Sequence, residues 1–383
     1  MPESRTLRVA VIGAGPAGQA HAFGFRNAQM SDCLKDVTIE LHTICDPNTE
    51  LASTVARRYG FANVVDDVQK VADNPEIDVV SMALPNFLSV PVMGTLLRAG
   101  KHVLGEKPLG RSGAEADELV KIQQETGKVA AVGFSYRRIP AVAQMRQHIM
   151  EGAIGEPIFV RAHFYADYAL DPSIPYAWRF DQDASGGGTI LDMAPHAIDA
   201  LTYVLGDAGK ATEVTACSLA THVKERTDAD GSTKPVTNDD TAILSLRYGD
   251  DVLGSIVSSR SAAGHPTDLT LEVFGTKGFA SWSFTRINEW QLYQTGVGEE
   301  MTDGPRTVTP GPLALYFDDT MPMAARGNPC GYGEAFIAEM QEFLIAVVED
   351  RQMDTNLQVA ADTMHIVSTA LEVAKTGVPT KLS

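Results

Sequence analysis

Short apolar runs that stop at glycine or proline alternate with amphipathic stretches through the first third of the chain. Arg8–Ile12, Val37–Cys45, Asp78–Ala83, His102–Gly105 and Val129–Gly133 are β-branched or apolar and read as strands. Gln19–Asn27, Thr49–Tyr59, Leu88–Ala99 and Ala114–Thr126 carry helical spacing, and Gly60, Gly100 and Gly127 close the last three. Strands and helices alternating over such short connections predict a parallel sheet covered on both faces.

The pattern changes after Gly133. A helix over about 139–150 leads into a strand, Pro157–Ala166, and a glycine-rich turn precedes a helix over Pro195–Val204. Period-2 runs follow at Glu213–Ala220, Thr241–Tyr248, Val252–Ser258, Leu269–Phe274, Phe279–Phe284 and Glu289–Tyr293. Consecutive strands joined by tight turns predict an antiparallel sheet. Stretches 221–240 and 294–330 read as loops, and Glu334–Glu349 and Leu357–Ala374 as closing amphipathic helices. The expected fold class is therefore α/β, with a covered parallel-sheet unit at 1–133 and a second α/β unit at 134–383.

Composition narrows the function. The chain of 383 residues carries a net charge of −18, which argues against a nucleic-acid partner. The acid is uneven: 13 basic and 16 acidic residues precede position 134, against 18 and 33 after it. Cys33, Cys45, Cys217 and Cys330 form no CxxC pair, so neither a zinc site nor a disulfide framework is expected. The N-terminus lacks the apolar core of a secretory signal, and no apolar run is long enough to span a membrane. A cytoplasmic protein without a membrane partner is the expectation.

Gly13-Ala14-Gly15-Pro16-Ala17-Gly18 matches G-x-G-x-x-G between a strand and a helix at the start of a βαβ unit. The first glycine permits a tight turn, the second lets a pyrophosphate approach and the third lets helix and strand pack closely. Gly13, Gly15, Pro16, Ala17 and Gly18 are therefore candidate cofactor contacts. Asp46 ends the second strand, where a carboxylate accepts bonds from ribose hydroxyls and repels a 2′-phosphate. That favours NAD over NADP; the plainer reading is a helix-start aspartate. Glu106-Lys107-Pro108 follows the strand His102–Gly105, at the carboxyl end of the sheet where ligands bind. An amine there can stabilise alkoxide character, or Lys107 is an ordinary loop lysine.

Asp192, His196 and Asp199 stand at i, i+4 and i+7, on one face if the segment is a single helix. Three readings stay open: His196 as a general base oriented by Asp192, a divalent-metal site, or a surface histidine.

Taken together, the glycine loop, the Glu106-Lys107-Pro108 triplet, and Gly187-Gly188 followed by Asp192, His196 and Asp199 resemble the glucose–fructose oxidoreductase/inositol dehydrogenase (Gfo/Idh/MocA) family, from about residue 7 to the C-terminus. The resemblance implies a Rossmann domain, a second domain with a large open, mostly antiparallel sheet, and a homodimer or homotetramer packed through that sheet. It implies oxidation of a sugar or cyclic polyol hydroxyl with NAD or NADP, with Lys107, Asp192 and His196 as the catalytic set and no metal. Pro85, Asn86 and Glu106 join the implied cofactor contacts. Segments 133–142, 165–168, 176–180 and 331–334 look closest to pyranoside and anhydrosugar dehydrogenases. Tyr136, Arg137, Asp167, Tyr168, Trp178 and Arg260, together with Lys107, Asp192 and His196, are candidate substrate or nicotinamide contacts. Tyr168 and Trp178 suit stacking on a pyranose. Ala194 stands where the family often has glycine, and Ser89 where it commonly has histidine. Other readings within reach are an inositol dehydrogenase, a glycosidase acting by transient C3 oxidation, and a non-catalytic NAD-binding regulator.

Overall fold

The computed structural model describes residues 5–298 and 303–382. Residues 1–4, part of the N-terminus read as lacking a leader, residues 299–302, part of the 294–330 loop reading, and residue 383 lie outside the described residues.

Six strands form the first sheet: β1 (Arg5–Ile12), β2 (Val37–Cys45), β3 (Asn63–Val65), β4 (Val79–Met82), β5 (His102–Glu106) and β6 (Ala130–Gly133). All pair in parallel in the order β3-β2-β1-β4-β5-β6. The order reverses between β1 and β4, which opens a crevice at their carboxyl ends. The connecting helices are α1 (Pro16–Asn27), α2 (Thr49–Tyr59), α3 (Val68–Ala72), α4 (Asn86–Arg98) and α5 (Gly113–Thr126). Local chemistry sets their ends. Asn48 and Ser112 cap α2 and α5 through side-chain oxygens, and Gly60 and Gly127 stop them in the left-handed conformation. β3 and α3 are absent from the sequence reading because three and five residues are too short to show a period.

The second unit begins with α6 (Pro140–Met150), β7 (Pro157–Tyr165), α7 (Gln182–Ser185), α8 (Thr189–Asp192) and α9 (Ala194–Leu205). Strands β8 (Ala211–Ala220), β9 (Glu225–Thr227), β10 (Thr233–Pro235), β11 (Thr241–Tyr248), β12 (Val252–Ser259), β13 (Asp268–Gly275), β14 (Gly278–Ser283), β15 (Trp290–Gln294) and β16 (Arg306–Val308) follow. Helices α10 (Tyr332–Val348) and α11 (Leu357–Thr376) and strand β17 (Thr380–Lys381) close the chain. Nine strands form one open sheet, β16-β15-β14-β13-β7-β12-β11-β8-β17. Only the β7–β12 pair is parallel, so the sheet is mostly antiparallel. The stretch 221–240 contains a small ribbon, β9 with β10, and 294–330 contains β16.

One face of the large sheet packs under α9: Val160, Ala162, Leu244, Leu246, Leu271 and Val273 lie buried with Ile198 and Leu201 in one core. The opposite face is open to solvent, and Phe159, Ile243 and Leu253 are exposed there. α10 belongs to the second unit in sequence yet covers the first. Met340, Phe343 and Leu344 share a core with Val9, Val11 and Phe25.

Ion pairs of buried arginines brace the second unit. Arg137 donates to both carboxylate oxygens of Asp199, at 2.9 and 2.6 Å, and to the carbonyl of Asp354. Arg138 pairs with Asp354 and donates to Tyr316 Oη. Arg260 donates to Asp240 Oδ1 at 2.8 Å and Asn238 Oδ1 at 2.7 Å. Removing one member of such a pair strands the other charge in the interior. Asp199→Ala is therefore expected to cost about 3–5 kcal/mol of folding stability, measured by denaturant unfolding. A loss under about 1 kcal/mol, the level of an exposed pair, contradicts this placement.

Candidate active site

The glycine loop closes the carboxyl end of β1. Gly13 has φ of 97°, and a Cβ there would overlap the carbonyl oxygen of Ala83. A Cβ on Gly18 would strike the carbonyl of Gly13, so helix and loop pack only because that side chain is missing. Gly15 differs: a Cβ there meets nothing within 4 Å. Its backbone faces open space at the head of α1, where Pro16 takes the first turn and uncompensated N–H groups favour a phosphate. Asp46 stands at the end of β2. Its Oδ2 accepts from Ala14 N at 2.8 Å and its Oδ1 from Asn48 N at 2.8 Å. The carboxylate braces the glycine loop while standing where a ribose is held in this fold. An open glycine cradle with a carboxylate beside it fits a dinucleotide.

Across the crevice, Pro85 leads into α4, and Asn86 donates to the carbonyl of Ser185 at 2.8 Å. The Asn86 amide nitrogen thus ties the first unit to the glycine-rich turn of the second. Glu106 and Lys107 leave the end of β5. Lys107 Nζ donates to Asp192 Oδ1 at 2.9 Å and to the Asp192 carbonyl at 2.7 Å. Tyr168 Oη donates to the other carboxylate oxygen at 2.9 Å. Burial would raise the Asp192 carboxyl, but the Lys107 charge and hydrogen bond outweigh it and hold it well below the usual carboxylate range; Arg179 and Tyr168 add to this. Burial, then the Asp192 charge, push the Tyr168 hydroxyl well above its ordinary value, so it remains a donor.

The segment carrying Asp192 and His196 is not one helix. It breaks at Met193 between α8 and α9. Asp239 caps α8 from another segment, its two oxygens accepting from Gly188 N at 2.8 Å and Ile190 N at 2.9 Å. Gly188 is required there because a Cβ would overlap the Asp239 backbone. The break changes the i, i+4, i+7 expectation. Asp192 turns to Lys107, and Asp199 turns into the core against Arg137. Among the described residues no group of three histidine, cysteine or acidic side chains is arranged to hold a metal ion.

Asp192 does not orient the His196 ring, contrary to the general-base reading as first framed. An aromatic cage does: Tyr136 lies edge-on at 4.9 Å, Phe164 at 5.7 Å and Phe134 at 6.4 Å. His196 Nδ1 is buried without a hydrogen-bond partner among the described residues. Burial first, and then the Lys107 charge, lower its pKa well below 6.5, with Asp192 opposing.

Two expected substrate contacts do not fit. Arg137 and Arg260 are 5% and 1% exposed, with their guanidinium groups committed to Asp199 and Asp240. They are structural. Tyr136 is buried as a wall of the His196 cage, stacked on Tyr332 at 5.3 Å. Tyr168 reaches the site through Asp192, and Asp167 precedes it in a partly exposed position. Trp178 is half-buried, edge-on to Phe87 of α4 at 6.4 Å. Sequence reasoning passed over Arg179, whose guanidinium lies 4.5 Å over the Trp178 ring. The adjacent Trp-Arg pair was its only signal.

Fold and site together define a nicotinamide dinucleotide-dependent oxidoreductase. The family model for an oxidoreductase family with an NAD-binding Rossmann fold matches residues 7–134, and that for the GFO/IDH/MocA C-terminal domain matches 142–281. The chain belongs to the Gfo/Idh/MocA family of NAD-binding oxidoreductases. It is 32% identical to levoglucosan dehydrogenase of Pseudarthrobacter phenanthrenivorans, over 98% of this chain and 99% of that protein. D-glucoside 3-dehydrogenase of Escherichia coli is 33% identical over 53% of this chain and 55% of its own. Among solved structures, levoglucosan dehydrogenase in complex with NADH and levoglucosan superposes with a TM-score of 0.92, at 31% identity over 98% and 99% of the two chains.

The electrostatics of His196 can be read without turnover. Its imidazole is expected to stay neutral through the neutral range and to protonate only well below pH 6.5, followed by the NMR shift of its ring carbons. In Lys107→Met the lost ammonium charge should move that protonation to higher pH. A midpoint at or above 6.5 in the parent, or no movement in the variant, contradicts the site described.

Proposed function

We propose that the protein oxidises a secondary hydroxyl of a pyranose, a glycoside or an anhydrosugar to a ketone, using NAD. The observation that carries this reading is the anchoring of Lys107 Nζ by Asp192 at a position where both charges act on the His196 ring. A hydroxyl between the two meets an acceptor for its proton and a cation for its oxygen. His196 Nε2 takes the proton, and Lys107 stabilises the negative charge gathering on oxygen as the C–H bond breaks. Bound NAD supplies the hydride acceptor at the nicotinamide ring. Asp192 and Tyr168 hold the lysine in place; Asp192 needs no proton of its own. Lys107 serves as the local cation, so the mechanism has no metal step.

The half-buried Trp178 offers an apolar face for the C–H side of a pyranose, and Arg179, Asp167 and Tyr168 offer polar groups for its hydroxyls. The overall similarity to levoglucosan dehydrogenase supports a pyranose over an inositol. The exposed Phe159, Ile243 and Leu253 on one face of the large sheet support a homo-oligomer packed through that face.

The reading is tested with pyranoses, glycosides, anhydrosugars and inositols against NAD⁺ and NADP⁺, following reduced-cofactor absorbance. Asp46 at the end of β2 predicts at least about tenfold higher kcat/KM with NAD⁺. On the best substrate, His196→Ala is expected to lower kcat by roughly two orders of magnitude while NAD⁺ affinity changes little. Near-parental turnover in that variant removes the histidine from the chemistry. Glycoside cleavage without net NADH release makes the protein a hydrolase instead.

A further inference from the structure

A second buried network lies behind the crevice, separate from the lysine–aspartate–tyrosine set. His21 is on α1, the helix that opens at the glycine loop, and is completely buried. Its Nε2 faces Glu106 Oε1 at 2.9 Å, and its Nδ1 contacts the hydroxyl of Ser81 on β4. Only an N–H can face a carboxylate at that distance, so Nε2 donates to Glu106. The imidazole thus links the phosphate-binding helix to the carboxyl ends of two central strands. Glu106 itself is partly open, with 19% of its side chain exposed at the end of β5.

A second carboxyl lies close by. Glu339 of α10 is completely buried, and neither of its oxygens has a hydrogen-bond partner among the described residues. Gly133 separates the two acids: from the point where its Cβ would stand, Glu339 Oε2 is 3.5 Å away and Glu106 Oε1 3.6 Å. Of two neighbouring carboxyl groups in the interior, the one without a donor or cation takes the proton. Burial, and next the Glu106 charge, raise the Glu339 carboxyl well above its usual range. Burial also acts to raise Glu106, but the hydrogen bond and charge of His21, followed by the charge of Lys107, bring it below its usual range.

We infer that His21 is a positioning residue that keeps Glu106 ionised in the cofactor crevice, so that the protein favours the positively charged oxidised nicotinamide over the reduced one. A carboxylate attracts the cationic ring and gains nothing from the neutral ring, so its contribution appears as a difference between two affinities. Ser81 fixes the ring from behind, and neutral Glu339 leaves the charge on Glu106 alone. The inference rests on NAD binding but on neither the substrate nor the role of His196.

The test is equilibrium binding of NAD⁺ and of NADH to the full chain, each measured by fluorescence. Glu106→Gln and His21→Leu are both expected to weaken NAD⁺ by roughly tenfold and NADH by less than about threefold. His21→Gln, which keeps an N–H donor, should restore most of the difference and so separates loss of the bond from loss of the fold. Glu339→Gln exchanges one neutral group for another and should leave the ratio of affinities unchanged. Equal weakening of both cofactors by Glu106→Gln or His21→Leu overturns the inference. A ratio that responds to Glu106→Gln but not to His21→Leu, or that shifts equally in Glu339→Gln, overturns it too.

Discussion

The ion pair between Lys107 and Asp192 joins the two halves of the molecule at the point where chemistry is expected. The lysine follows the fifth strand of the dinucleotide-binding sheet, and the aspartate ends a four-residue helix of the second unit. Neither can be placed without the other's scaffold. The lysine sits at the carboxyl end of β5, the end at which the reversal of sheet order between β1 and β4 opens a crevice. The aspartate sits opposite because Asp239 caps α8 and Gly188 lets the two backbones touch. The Asp192 carbonyl takes a second bond from the ammonium, and Tyr168 holds the other carboxylate oxygen.

Charge in this protein falls into two kinds. Arg137, Arg138 and Arg260 are buried, each paired with an acid elsewhere in the chain: residue 137 to 199, 138 to 354 and 260 to 240. Their donors are spent on structure. Lys107, Arg179 and Glu106 keep partial access to the crevice and act on what enters it. Residue type alone does not separate the kinds, because arginine in a polar stretch reads equally well as a sugar ligand or as a brace.

That ambiguity marks how far the sequence could be read. The glycine loop, Asp46 and the strand–helix alternation are local patterns with a local physical cause, so they were legible, as was the second sheet from its period-2 runs. Lys107, Asp192 and His196 were legible as residues but not in their relations. The lysine–aspartate bond spans 85 positions, the break at Met193 separates Asp192 from the helix that carries His196 and Asp199, and Asp239 caps α8 from 49 positions away. Periodicity alone cannot show that His196 is held by aromatic edges rather than by a carboxylate. The covering of the first core by α10, and the pairing of His21 with Glu106, arise from tertiary packing between distant segments.

If the lysine and the aspartate act as one unit, removing both should cost little more than removing the more important one. A double-mutant cycle measures this directly, with kcat/KM on the best sugar substrate for Lys107→Met, Asp192→Asn and the double variant. The double variant is expected to fall within about threefold of the worse single variant. Losses that multiply, as they do for independent sites, would show that the two residues act separately and that the pair is not the keystone of the site.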